Sequence, residues 1–364
     1  MQARVEKERN YGIDLLRIIA MFMVCMIHVN LFTVALDASL VGTGKEYFYH
    51  VGVWTESVGY IGVNLYALIT GYVCLNSTWR LSRYIELWAQ VAYYSIGLLI
   101  LGLLLSYFDI LSWNVGWKYV LKILIRLPLG STYWYFAAYS ALFLIMPFMN
   151  RVLQNLGKRE YILLLAGLLL LIPCANVVSS SVLYGSGYNV VWLAVLYIAG
   201  GYFKRFAPYA NPVLVGGLAL LCTFQPLLCR MLHVPDYLSY CSPVMVLYSC
   251  CLFMLLYRVR IKKYIVCKSI TQLGALSFGV YLIHVHPWSW KMLNTYVPLL
   301  NEYLDYPWWF SVLGGGVLYV FCSLLDWVRN MLFGLCRVKR MSELVADVIQ
   351  KAVEHLLRRF VPEK

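Results

Sequence analysis

Three side chains in the first apolar stretch have the types and spacing that chemistry would need. Residues 11–34 read YGIDLLRIIAMFMVCMIHVNLFTV, and Asp14, Arg17 and His28 stand within that run. An imidazole titrates near neutral pH and can serve as general base or nucleophile. A guanidinium beside a carboxylate can grip an anionic group or be held by its neighbour. On a helix turning about 100° per residue, Arg17 and His28 lie within about 20° of one line, and Asp14 within about 60° of it. His28 then sits roughly 16 Å along the stripe from Arg17. An Asp14–Arg17 i,i+3 ion pair, with His28 as a hydrogen-bonded core residue, would account for each group without function. Charge at membrane depth costs about 2.5–3.5 kcal/mol on insertion scales and usually faces an interior or a wet cavity. Three polar groups on one stripe of an otherwise apolar helix favour a site.

The elements that must position these groups follow from composition. Of 364 residues, 62% are hydrophobic and only 13% charged, which excludes an ordinary soluble domain. The apolar residues recur in blocks long enough to cross a bilayer, and lipid leaves backbone groups no partners outside a helix. The expected fold is all-α: a polytopic integral membrane helical bundle with about ten transmembrane helices. The expected spans are 12–35, 52–75, 84–107, 133–153, 161–178, 188–206, 212–230, 237–257, 273–295 and 308–332. With the N-terminus inside, the cytoplasmic segments hold 23 of the 30 lysines and arginines and the outer segments 5, which predicts both termini in the cytoplasm. The net charge of +13 is then a matter of topology and anionic membrane lipid, with no nucleic acid implied. The first span is too long for a signal-peptide core and contains Arg17, so it is expected to remain in the protein. Most of the 11 cysteines fall inside spans as small apolar filler, and only Cys229 and Cys241 flank a loop where a disulfide could form.

Other stretches carry weaker signals. Trp113, Trp117, Val120, Leu121, Leu124 and Leu127 recur at helical spacing opposite Lys118, Lys122 and Arg126, which describes an interfacial helix. The YWYF that follows, with Trp134 and Tyr135, suits interfacial anchoring; a platform for a carbohydrate is the second reading. Residues 62–73, GVNLYALITGYV, offer Gly62 and Gly71 for close helix approach and Asn64 and Thr70 for hydrogen bonds across it. Arg80 and Arg83 stand at i,i+3 at the cytoplasmic mouth. They can serve topology, with Arg83 pairing Glu86, or clamp phosphates with their guanidinium forks. Residues 276–290, LSFGVYLIHVHPWSW, hold His284 and His286 about 200° apart on a helix, with no carboxylate nearby, so no metal site is expected. Pro287 should break that helix. Asp326 and Arg329 fit an i,i+3 pair, and the tail from Ser342, a fair N-cap, repeats apolar residues from Val345 to Phe360 as an amphipathic helix.

Taken together, these pieces resemble the membrane acyltransferase-3 family. The resemblance is carried by Asp14 with the R-x10-H of Arg17 and His28, by GVNLYALITGYV, by the R-x-x-R of Arg80 and Arg83, by YWYF before an apolar run ending in Pro147, and by SFGVYLIH. It spans nearly the whole chain. Tyr66 and Thr70 stand where the family usually has Phe and Ser, and Asp326 is not carried over as catalytic.

The resemblance implies a membrane acyltransferase domain over residues 1–335, followed by an amphipathic cytoplasmic C-terminal helix at 336–364. It implies a multi-pass enzyme of the bacterial inner membrane that moves an acetyl group from cytoplasmic acetyl-CoA, a co-substrate rather than a bound cofactor. The acceptor would be a hydroxyl of a surface glycan or lipid-linked sugar. His28, Arg17 and Asp14 would be catalytic, Arg80 and Arg83 would hold the donor, and Trp134, Tyr135 and His284 would face the acceptor. Homo-oligomerisation is left open. A transporter or flippase is the alternative, since intramembrane Arg, His and Asp also mark such proteins, although no internal repeat is visible. A glycan polymerase is the weaker rival, because no large outer loop is present.

Overall fold

The computed structural model describes residues 9–110, 116–127, 133–178, 185–233 and 238–360. Its helices, in chain order, are α1 (Tyr11–Phe32), α2 (Glu46–Gly59), α3 (Gly62–Cys74), α4 (Leu81–Tyr107), α5 (Trp117–Arg126), α6 (Trp134–Asn155) and α7 (Lys158–Val178). They continue as α8 (Val190–Phe206), α9 (Pro212–Met231), α10 (Pro243–Leu256), α11 (Tyr264–His284), α12 (Pro287–Tyr303), α13 (Phe310–Leu335) and α14 (Val338–Phe360). Helices α1, α4, α6, α9, α11 and α13, together with the α2–α3 pair, are long and apolar enough to cross a membrane. The fold is that of a polytopic helical membrane protein.

Helix α1 is the centre of the bundle and packs against α2, α3, α10, α11, α12 and α13. Its start is fixed by Asn10, whose side chain accepts from the backbone N–H groups of Gly12 and Ile13 and so satisfies two donors that would otherwise be orphaned. The outer helices turn Leu144, Phe148, Leu163, Leu170, Leu221 and Phe321 outward. In water such exposure would be costly; against lipid it is what a span requires.

Small and polar residues, rather than apolar bulk, draw the helices together. Gly71 of α3 and Gly200 of α8 each lie so close to the facing backbone, at Tyr197 and Leu68, that no β-carbon would fit. Asn64 of α3 accepts from Trp192 Nε1 at 3.1 Å and donates to the Tyr240 carbonyl at 2.8 Å and to Ser249 Oγ at 3.2 Å. A single amide thus ties α3 to α8 and α10. Thr70 instead donates back to Tyr66 O within its own helix.

Four expectations are corrected. The span expected at 273–295 is two helices, α11 and α12. Proline cannot donate in the interior of a helix, so Pro287 takes the first position of a new one, and His286 caps it by accepting from Trp288 N. The span expected at 52–75 begins at Glu46 and is interrupted at Tyr60 and Ile61, between the glycines that let α1 approach. Cys229 and Cys241 are free thiols, and Cys241 is buried beside Ser239. Ser342 lies inside α14 rather than capping it. It is buried with Ala346, one turn on, in the helix that packs against α4 and α13. Val345, Val348, Ile349, Val353, Leu356 and Leu357 remain exposed, so the amphipathic character is as expected and its apolar face is not covered by the protein. A helix stands where the interfacial one is expected, α5; Trp113 lies outside the described residues.

Candidate active site

His28 stands where two cavities meet. One, of about 210 Å³, runs towards the Arg17 end of α1 and is lined by Met21, Val63, Tyr66, Thr70, Tyr139 and Phe278 among others. The second, of about 610 Å³, opens the other way past Ile27, Leu31, Glu56, Tyr60, Tyr188 and Trp290. His28, Trp134, Tyr240 and Tyr281 line both. The break between α11 and α12 lets the chain turn there, and Trp290 meets the His28 ring edge-on at 4.9 Å between centroids.

Behind His28, α11 supplies a second imidazole. His28 Nδ1 lies 2.9 Å from His284 Nε2, and His284 Nδ1 lies 2.6 Å from the Val280 carbonyl one turn back. A carbonyl only accepts, so His284 Nδ1 carries the hydrogen and, in the neutral ring, Nε2 is a lone pair. The 2.9 Å contact then requires His28 Nδ1 to donate. His28 Nε2 is left with a free lone pair, which is the form a general base needs.

The Arg17 end holds a charge cluster. Asp14 accepts from Arg17 Nη1 through Oδ1 and from Arg9 Nε through Oδ2, each at 2.6 Å. The carboxylate is buried, whereas Arg17 keeps 28% of its side chain exposed and Arg9 49%. The simple i,i+3 pair therefore exists, but one carboxylate serves two guanidinium groups. Around them opens a recess of about 340 Å³ lined by Arg9, Asn10, Ile13, Asp14, Arg17, Tyr72, Val73 and Lys204. Three cations face one carboxylate there, and Lys204 Nζ lies 4.6 Å above the Tyr72 ring. Such a recess attracts anions. Tyr66 donates to the Arg17 carbonyl at 2.8 Å and also lines the small cavity, so the recess and the cavity share a wall residue.

The expected site residues fall into three groups. Arg17, His28, Trp134 and Tyr135 line cavities, and Asp14 is ion-paired to Arg17. His284 lines neither cavity around His28; it is buried behind His28 and contacts its ring nitrogen. Arg80 and Arg83 are exposed at the start of α4, and Arg80 is its N-cap. Arg83 lies within electrostatic reach of Tyr139 in the cavity wall and, like Arg17, of Cys74. Among the described residues, Arg83 makes no ion pair with Glu86.

Sequence reasoning missed Glu56, Arg9 and Lys204. Glu56 could have been flagged, since an acid in an expected span is a site candidate by the rule applied to Asp14. Arg9 and Lys204 were absorbed into the topology count, and only the folded arrangement brings them to Arg17.

Comparison with curated proteins and with solved structures finds no match. The acyltransferase domain family designated acyltransferase-3 matches residues 10–327 of the 364, which include every cavity-lining residue named above except Arg9. With a match of that extent over a helical membrane fold, the chain belongs to the membrane acyltransferase-3 family and is an integral membrane acyltransferase.

Proposed function

We propose that the protein transfers an acetyl group from cytoplasmic acetyl-CoA to a hydroxyl of a surface glycan or lipid-linked sugar. The observation that carries this reading is His28 at the junction of two cavities, with its Nε2 lone pair free. Both termini lie in the cytoplasm in this reading, which puts the Arg9, Arg17 and Lys204 recess on the donor side. Those cations and Arg83 receive the phosphates of CoA, and the narrow, mostly apolar cavity takes the pantetheine arm. The acceptor enters from the outer cavity.

His28 Nε2 takes the proton from the acceptor hydroxyl as its oxygen attacks the thioester carbonyl. The C–S bond breaks, and the thiolate of CoA recovers that proton from His28. Throughout, the Nδ1 hydrogen stays directed at His284. The membrane is the bacterial inner membrane in this reading. The test uses purified full-length protein. Acetyl-CoA should be bound and turned over, and His28→Ala should abolish turnover while the protein stays folded. Near-normal turnover by that variant, or solute flux through liposomes with no requirement for CoA, would overturn the assignment.

A further inference from the structure

The outer cavity carries a feature that acyl transfer from CoA does not by itself require. Glu56, one turn before the break between α2 and α3, lines it together with Tyr60, Trp134, Tyr188, Tyr240 and Trp290. The carboxylate is held in place: Asn30 Nδ2 donates to Glu56 Oε2 at 3.1 Å and also to the Gly52 carbonyl at 3.0 Å. Asn30 itself is oriented by Ser311 Oγ, which donates to its Oδ1 at 2.8 Å. Three helices, α1, α2 and α13, thus fix the direction of one acid. Arg230 of α9 lies within electrostatic reach of it.

The aromatic residues are equally ordered. Tyr240 sits between Tyr60 and Tyr188 in ring contact with both. Tyr60 and Tyr240 lie 4.7 Å apart between ring centroids, Tyr188 and Tyr240 4.8 Å, and Trp134 and Tyr188 4.6 Å. Trp290 belongs to another element, α12, and is braced by Phe32 at 4.8 Å. A fixed carboxylate among amphipathic rings matches a neutral polyol ring. Its C–H faces bury against aromatic surface, and its paired hydroxyls donate charge-assisted hydrogen bonds to a carboxylate. The same carboxylate would repel a phosphate or uronate at that position.

We infer that the outer cavity is a subsite for one neutral pyranose ring of the acceptor, that Glu56 anchors its hydroxyls, and that the ring is thereby aimed at His28. The inference rests on the acyl-transfer reading and deepens it. The sugar can arrive as a free glycoside or on a lipid carrier; the ring chemistry is common to both.

The test uses full-length protein in lipid nanodiscs with acetyl-CoA as donor. The acceptors are methyl β-D-glucopyranoside, methyl β-D-galactopyranoside and a polyprenyl-phosphate glucose, with cyclohexanol as a hydroxyl compound that is not a sugar. CoA release and the mass of the acetylated product are read. Wild type should acetylate a sugar in preference to cyclohexanol, and whether the soluble or the polyprenyl-linked probe is taken identifies its source. Glu56→Gln keeps the shape and a partner for Asn30, so it should fold. It should raise the acceptor KM by about 10- to 100-fold through weakened charge-assisted bonds, while the KM for acetyl-CoA moves less than twofold. Tyr188→Ala, at the half-exposed rim, should raise the same acceptor KM by about tenfold. Unchanged acceptor KM in both variants, equal rises in donor and acceptor KM, or preference for cyclohexanol would overturn the subsite while CoA release continues. Absence of CoA release in wild type with every acceptor would overturn the acyl-transfer reading and the subsite with it.

Discussion

His28 and His284 come from helices 256 positions apart in the chain, yet their rings are joined Nδ1 to Nε2 at 2.9 Å. The Val280 carbonyl behind His284 settles which nitrogens carry hydrogen along the whole row. In the proposed mechanism His284 is a positioning residue, since it touches His28 and lines neither of the two cavities that meet there. His284→Leu removes the acceptor for the Nδ1 hydrogen and should lower kcat by about 10- to 100-fold, against about 10²- to 10⁴-fold for His28→Ala. His284→Gln, whose amide oxygen can accept from Nδ1, should recover part of the loss. Steady-state kinetics decide: equal activity in the Leu and Gln variants would show that His284 only fills space.

The donor side yields a prediction about charge. If Lys204 and Arg83 receive CoA phosphates, Lys204→Ala and Arg83→Lys should each raise the KM for acetyl-CoA by roughly 10- to 100-fold, with kcat nearly constant. Lysine keeps the charge of Arg83 but loses the planar fork, so the second variant separates bidentate contact from topology. A dephospho-CoA donor should lose less than CoA in whichever variant has lost the contact to the 3′-phosphate. Unchanged donor KM in both would return these residues to the positive-inside pattern alone.

The sequence made the stripe on α1 legible because Arg17 and His28 share one helix, where spacing converts directly into angle. It could not show that His284 backs His28, since the two are joined only by the packing of α11 on α1. Pro287 announced the break after α11, and α12 exists because that proline can start a helix as well as end one. The basic recess was hidden for a different reason. Arg9 and Lys204 read as topology signals, and charge at a helix end looks the same whether or not a cavity lies beside it. Glu56 was visible by the argument used for Asp14, but its ordered setting of Asn30 and Ser311 depends on three helices meeting.

Asn64 supports a stability prediction. Its buried amide makes three hydrogen bonds, to Trp192 of α8, to Ser249 of α10 and to the Tyr240 carbonyl just before α10. Asn64→Ala leaves Trp192 Nε1 and the Tyr240 carbonyl without this partner. The expected cost is about 1–3 kcal/mol, towards the lower end because polar groups in membranes find substitutes. Thermal unfolding in detergent should show a midpoint lowered by a few degrees. Asn64→Asp should be at least as disruptive, since a carboxylate cannot donate to the Tyr240 carbonyl.

Asp326 and Arg329 set the last prediction, because an acid in a late span invites a catalytic reading. Arg329 Nε lies 2.9 Å from Asp326 Oδ1 and Arg329 Nη2 2.7 Å from Oδ2, and Tyr94 donates to Oδ1 at 2.7 Å. Both charged residues are buried, and Gly279 of α11 gives the carboxylate room that a β-carbon would take away. Neither residue lines the cavities that meet at His28. The pair therefore locks α13 against α4 and α11, and its carboxylate is fully committed to its partners. Breaking a buried pair strands a charge, which typically costs about 3–5 kcal/mol. Arg329→Met should lower the unfolding midpoint and the yield of folded protein, and so should Asp326→Asn to a smaller degree, as Asn can still accept from Tyr94. Turnover per folded molecule should stay within about twofold of wild type in both, well under the tenfold that corresponds to about 1.4 kcal/mol of barrier. A folded Asp326→Asn protein whose kcat falls by about 10²-fold or more would assign this acid to the chemistry instead.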